Sequence, residues 1–280
     1  RRATCDLRCS TDARGRRGSV CYGLPSTTSQ PVPRPILARI DIAAMRHNLA
    51  AARVRAAGRR IWAIVKANAY GHDTEHAVRG FADADGLGLI DLAEAARVRA
   101  AGWTRPILLL EGIFEPADVT ACHALDLSVV VHDEAQIAWF DNDARSPLDV
   151  YVKVDTGMSR LGMPPARLAA ALARLHAARG VRVQGVVMHF ANADRADPAC
   201  GPTSMDEQWR RFDAACTGLA LARSVSNSAA LFLHPPLAED WVRPGIALYG
   251  ATPDAAHSAA QLGLRPAMQL TSQLLAVREV

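Results

Sequence analysis

Eight times between Ile61 and Leu248, a short strand-like run gives way to an alanine-rich or polar stretch. This alternation constrains the fold more than any other feature, because strands separated by helices pair in parallel. The runs are Ile61–Lys66 (IWAIVK), Gly86–Ile90 (GLGLI), Ile107–Glu111 (ILLLE), Leu127–Val131 (LSVVV), Asp149–Asp155 (DVYVKVD), Val181–His189 (VRVQGVVMH), Ala222–Ser226 (ARSVS) and Val242–Leu248 (VRPGIAL). Helical patterns lie between them at Leu92–Ala101, Pro165–Ala178 and Met205–Leu221. Pro165 suits a first turn and Gly180 an exit. ILLLE is apolar at successive positions, as in a strand buried on both faces. The expected class is α/β, a (β/α)8 TIM-type barrel, with an open doubly wound sheet as the alternative. Two more strand-like segments, Ile36–Ile42 and Met268–Val277, are not needed for a barrel and read as the edges of a second, β-rich domain. The expected organisation is a disordered Arg-rich leader over 1–33, a barrel over 34–265 and the start of a truncated β-rich domain over 266–280.

The chain has 280 residues, half of them hydrophobic and 21% charged, which excludes a mainly disordered protein. No apolar run approaches the roughly 18 residues of a membrane span. Cys5, Cys9, Cys21, Cys122, Cys200 and Cys216 form no Cys-x-x-Cys pair, so reduced thiols in a cytoplasmic protein are expected, with no structural metal. The net charge of +4 resides in the leader: residues 1–34 hold seven Arg and two Asp, and the remainder holds 25 basic and 26 acidic residues. The body therefore gives no electrostatic reason for a nucleic-acid partner.

Among 32 basic residues only Lys66 and Lys153 are lysine, in a chain with 53 alanines. In such an Arg-biased composition a retained lysine marks a place where a primary amine is needed; the plain alternative is two leftover surface lysines. Both fall at strand ends, where barrel enzymes place their chemistry. Lys66 closes the first run within AIVKANAYGHD, with Tyr70 four residues on. Lys153 and Asp155 alternate with Val152 and Val154 and share the polar side of the fifth run, with Arg160 in the loop beyond. His189 ends the sixth run. Ser226-Asn227-Ser228-Ala229-Ala230 follows the seventh and reads as a phosphate-binding helix start, and Arg243-Pro244-Gly245 follows the eighth. An amine, a phosphate cradle and an arginine together suit pyridoxal 5′-phosphate held through a lysine Schiff base. On these residues alone a Schiff-base aldolase remains open, since it needs the same lysine and phosphate site.

AIVKANAYGHD, KVDTGMSRLG, MHFANAD, SNSAA and VRPGIALYG, in that order and spacing, resemble the alanine racemases from about Pro33 to Val280. The resemblance implies interconversion of L- and D-alanine, with D-alanine serving peptidoglycan synthesis or alanine catabolism in a bacterium, by a cytoplasmic homodimer. It implies that Lys66 carries the cofactor and acts as the base for the D-enantiomer. Tyr70, Asn227, Ser228 and the backbone of Gly245 and Ile246 would hold the cofactor, and Arg243 would face the pyridine nitrogen. His189 would pack beside the ring, Arg160 would meet the substrate side, and Lys153 would be carbamylated. A non-catalytic cofactor-binding barrel would not need the KVDTGMSRLG loop. The chain departs from the family at Asp73, where glycine is usual, with little effect expected. The family's second base, a tyrosine of the β-rich domain, matches no residue here. Tyr249 reads as structural, so this chain is expected to be weakly active or inactive.

Overall fold

The computed structural model describes residues 34–140, 147–195 and 198–279. The leader 1–33 lies outside them. β1 (Leu37–Ile40) precedes a helix, Ile42–Ala56, which starts at Asp41, whose side chain accepts the Ala44 N–H at 3.0 Å. The barrel strands follow: β2 (Arg60–Ile64), β3 (Gly86–Leu89), β4 (Ile107–Leu109), β5 (Leu127–Val131), β6 (Leu148–Lys153), β7 (Val181–Val187), β8 (Ala222–Ser224) and β9 (Trp241–Val242). They close in sequence order into one barrel, each parallel to its neighbours, with β9 returning to β2. The doubly wound alternative is thereby excluded. β10 (Met268–Thr271) pairs antiparallel with β1, Leu37 opposite Thr271. Ile36, Leu37, Leu270, Leu274 and Leu275 are exposed on and beside this ribbon.

The eight expected runs coincide with the eight strands, and the differences fall at their ends. Of the last run only Val242 is strand, in β9 with Trp241 before it, because Pro244 has no N–H and residues Ile246–Tyr249 wind into a 3-10 turn. The Pro165 segment is a 3-10 turn, Pro165–Arg167, leading into the helix Leu168–Ala177. The helix from Met205 stops at Ala215, short of Leu221, and Gly218 turns the chain at φ 78°.

Side chains alternate across the barrel wall. Ile61, Ala63 and Val65 face the helices and join the main core, whereas Trp62 and Ile64 point inward with Leu108, Val130, Tyr151, Val187 and Trp241. Inside, Trp62 stacks on Trp241 at 4.2 Å and takes the Tyr151 ring edge-on at 6.3 Å. These rings plug the lower barrel. Arg60 lies over Trp241 at 4.2 Å. Each fully buried large apolar side chain contributes about 1.5–3 kcal/mol, so the plugged interior is rigid support for the opposite mouth. No helix among the described residues is long and apolar enough to cross a membrane.

Candidate active site

The mouth at the carboxyl ends of the strands is a cavity of about 330 Å3, within the size range of small-molecule sites. Lys66, Tyr70, Lys153, Arg160, His189, Asn227, Ser228, Arg243, Gly245 and Ile246 all line it. These are the ten residues that the resemblance assigned to the cofactor and substrate, brought together from the ends of β2, β6, β7, β8 and β9.

Lys66 stands two residues beyond β2 and opens a turn of unusual hand. Ala67, Asn68, Ala69 and Tyr70 all have left-handed backbones, with φ between 50° and 56°. For L-residues this costs roughly 1–2 kcal/mol each. Hydrogen bonds offset it. Asn68 donates its N–H to Glu94 Oε1 at 2.5 Å, and its side-chain oxygen accepts both the N–H and the hydroxyl of Thr74 at 3.2 Å. Ala69 N–H donates to the Val65 carbonyl at 2.9 Å. The turn sends both Lys66 and Tyr70 into the mouth. Asp73, where the family uses glycine, has φ 74° and caps the following helix, Thr74–Gly80, by accepting the Glu75 N–H at 2.9 Å. The positive φ accounts for the usual glycine, and the cap accounts for the tolerated aspartate.

Tyr70, Ser228 and Gly245 form a cradle. The Ser228 hydroxyl oxygen accepts the N–H groups of Gly245 at 2.9 Å and Ala247 at 3.3 Å. A Cβ on Gly245 would lie 2.4 Å from the Tyr70 hydroxyl, so only glycine admits that approach. Asn227 caps the short helix Ser228–Leu233 by accepting the Ala230 N–H at 3.0 Å, and its amide lies 3.5 Å from His189 Nε2. The expected helix-start cradle is therefore a hydroxyl and loop-backbone cradle. Tyr249 is structural: its buried hydroxyl donates to the Ile64 carbonyl at 2.9 Å, and its ring packs on Tyr70 at 4.9 Å.

Arg243 is buried and held on two nitrogens. Nη1 donates to the Ser224 hydroxyl, and Nη2 donates to the carbonyls of Met188 and Val225. Among the described residues Nε has no protein partner. Burial lowers the guanidinium to about 10, which leaves it cationic at neutral pH. His189 is pushed down to about 3, by burial first and then by Arg243, Arg160, Lys153 and Lys66, so its imidazole is neutral. Lys153 is buried, and burial, Arg160 and Arg243 lower its amine to about 8 against the opposing pull of Glu111 and Asp155.

Asp155 departs from the reading that placed it in the barrel beside Lys153. Its carboxylate turns back into its own loop and accepts the N–H groups of Gly157 at 2.9 Å and Ser159 at 3.0 Å. The strand ends at Lys153, so the alternation that would have aimed Asp155 inward does not continue. Lys153 makes no ion pair among the described residues. The mouth also contains residues the sequence reading passed over, chiefly Glu111, Met158 and Asp194. Glu111 closes the ILLLE run, so its strand-end position was a usable signal, and Asp194 lies within MHFANAD. Cationic Lys66, Lys153, Arg160 and Arg243 face the acids Glu111 and Asp194, which suits an anionic ligand. Among the described residues no three or more His, Cys, Asp or Glu side chains are grouped to hold a metal ion. Cys122 and Cys216 are free and buried, with burial raising their thiols to about 12 and about 11.

Comparison with known proteins agrees with this geometry. Residues 40–253 match the family model "Alanine racemase, N-terminal domain". An alanine racemase of Janthinobacterium sp. is 50% identical over 250 residues, covering 89% of this chain and 69% of that protein. One from Albidiferax ferrireducens is 46% identical, covering 89% of this chain and 68% of that protein. The crystal structure of the biosynthetic alanine racemase of Pseudomonas aeruginosa superposes with a TM-score of 0.82 at 44% identity, over 88% of this chain and 68% of the other. The chain belongs to the alanine racemase family of isomerases.

Proposed function

We propose that this racemase uses pyridoxal 5′-phosphate bound in the barrel mouth. The observation that carries the reading is the convergence of a cavity-facing lysine, a hydroxyl–glycine cradle and a buried arginine with an uncommitted Nε in one space. These groups fit the cofactor: the cradle suits its phosphate, Arg243 its ring nitrogen and Lys66 its carbonyl carbon. When bound, the cofactor supplies an electron sink that makes the α-proton of alanine removable.

Lys66 would hold the cofactor and, at Nζ, take and return the α-proton on the D-alanine face. Tyr70 and Ser228 hydroxyls and the Ile246 N–H would bind phosphate, and the Gly245 N–H, which donates to the Ser228 hydroxyl oxygen, would turn that hydroxyl's proton toward it or be shared with it. Arg243 keeps its proton, as a guanidinium does, and so limits the sink; this favours proton return over other outcomes. Neutral His189, with Asn227 at its edge, would pack against the ring face without adding charge. Arg160, exposed at the cavity wall, would orient the substrate side.

Lys153 would react as the free amine with CO2, forming an N–C bond and releasing one proton, to give an anionic carbamate beside Arg160. With its amine at about 8, roughly a tenth is unprotonated at pH 7, some 300-fold more than for an ordinary lysine. The cytoplasmic homodimer and the supply of D-alanine to peptidoglycan or to catabolism rest on family membership.

The test is borohydride reduction of the protein with bound cofactor, followed by peptide mapping. Label on Lys66 is expected, together with loss of labelling in Lys66→Ala. Label on Lys153 instead would overturn the assignment.

A further inference from the structure

A half-buried carboxylate outside the cavity lining takes no part in the chemistry above. Glu239 lies in the loop between the helix Ser228–Leu233 and β9. Its Oε2 accepts the N–H groups of Val225 at 2.7 Å and Ser226 at 2.9 Å, and its Oε1 accepts the Ser226 hydroxyl. Arg243 holds these two residues and Ser224 before them through their acceptors. Its side chain donates to the Ser224 hydroxyl oxygen and the Val225 carbonyl, and its backbone N–H donates to the Ser226 carbonyl at 2.8 Å. The Ser224 hydroxyl proton is committed to the Trp241 carbonyl at 2.7 Å, so its oxygen is left to accept from Arg243.

We propose that Glu239 is a positioning residue of this racemase: it holds the donors of Val225 and Ser226 while Arg243 holds acceptors of Ser224, Val225 and Ser226, and this clamp sets where Asn227 and Ser228 stand. The chemistry favours a carboxylate. Three donors converge on two oxygens, which a carboxylate satisfies without choosing an orientation. An amide at the same place serves the segment in one orientation only, its oxygen on the two N–H groups and its NH2 on a turned Ser226 hydroxyl, and it accepts without the strength that a carboxylate's charge adds. The three residues also join β8 to the cradle, so slack in them moves the Ser228 hydroxyl directly. The part of the proposal that concerns a ligand rests on the cofactor reading above, whereas the clamp itself does not.

The experiment uses the full chain and compares wild type with Glu239→Gln by peptide-resolved hydrogen exchange and by titration with pyridoxal 5′-phosphate and with pyridoxal. Exchange over residues 224–228 should rise at least about tenfold while the other barrel strands keep their protection. Affinity for pyridoxal 5′-phosphate should fall about tenfold, and affinity for unphosphorylated pyridoxal should fall less. Glu239→Asp, which keeps the charge, should recover part of both effects. Unchanged exchange at 224–228, an even rise across the barrel, or equal weakening of the two ligands would each reject the proposal. If Glu239→Gln does not fold, Ser226→Ala removes one contact of the clamp and should produce a smaller rise in the same segment; no local rise there also rejects it. A wild-type chain that takes up no cofactor, yet shows the local exchange change on substitution, would sink the cofactor reading and leave the clamp standing.

Discussion

The close approach of Tyr70 to Gly245 can be tested by a single methyl group. In Gly245→Ala the new Cβ would lie 2.4 Å from the Tyr70 hydroxyl oxygen, 3.2 Å from its Cζ and 3.5 Å from Ile64 Cβ. Gly245 has φ −120° and ψ −90°, and any backbone cost of the alanine is shared by the single and double variants, so it drops out of their comparison. The tyrosine must retreat by about 1 Å to regain van der Waals distance. Overpacking of this kind costs about 1–3 kcal/mol. The displaced hydroxyl also loses its bond to a charged phosphate, worth about 1.5–3 kcal/mol. Cofactor affinity, followed through the absorbance of the lysine-bound cofactor, should fall about 10- to 100-fold. Tyr70→Phe alone should cost about tenfold, because it removes the hydroxyl and nothing else. The double variant is decisive. Without the hydroxyl, the added methyl meets only ring carbon at 3.2 Å, which a small tilt relieves. The two changes should therefore couple by about 1–2 kcal/mol. Additive costs would refute the idea that Gly245 acts by admitting Tyr70, and thermal unfolding of each variant controls for general damage.

His189 should show no titration by NMR between about pH 5 and 8, because burial and four neighbouring cations hold it down to about 3. The sign follows: the unfolded chain takes this proton below about 6.5 and the folded chain does not. His189 therefore supports the fold fully above that pH and loses that support as pH falls toward 3; an unchanged acid-unfolding profile in His189→Gln would contradict this. For Lys153, 13C-labelled bicarbonate should give a carbamate signal that grows as pH rises through about 8 and is absent in Lys153→Met. The folded state binds this proton less readily than the unfolded chain, so Lys153→Met should also raise stability at pH 7 by about 1–3 kcal/mol, a gain that shrinks toward pH 10. In a chain extended through the β-rich domain, Arg243→Glu offers a partner that can share a proton with the cofactor ring; chiral and keto-acid analysis should show slower racemisation and more transamination, and an unchanged product ratio would argue against the role given to Arg243.

The barrel was legible because strands such as β3 and β4 are buried on both faces and read as unbroken apolar runs, as ILLLE does, and because the runs recur between helical stretches. The two lysines were legible because an Arg-rich composition left them isolated, and their strand-end positions then pointed to one mouth. The left-handed turn was hidden, since Ala67, Asn68, Ala69 and Tyr70 contain no glycine to announce a positive φ. Its stability comes from Glu94 and Thr74, which are partners at longer range. Asp155 was misplaced because two-residue alternation was extended one step past the end of the strand. Glu239 carries no local signal: its three donors come from residues 13 and 14 positions away, and only the closed barrel brings them together.

The stacked indoles beneath the mouth have an optical consequence. The chain has five tryptophans, and two of them, Trp62 and Trp241, lie fully enclosed in the barrel floor, with Tyr151 set edge-on to Trp62. Trp62 is only four residues from Lys66 along β2 and the following turn. Indole emission overlaps the absorbance of a lysine-bound pyridoxal group, and energy transfer is efficient over such short separations. The floor of the barrel should therefore dim as the mouth fills, so that occupancy can be followed by intrinsic fluorescence without any added label.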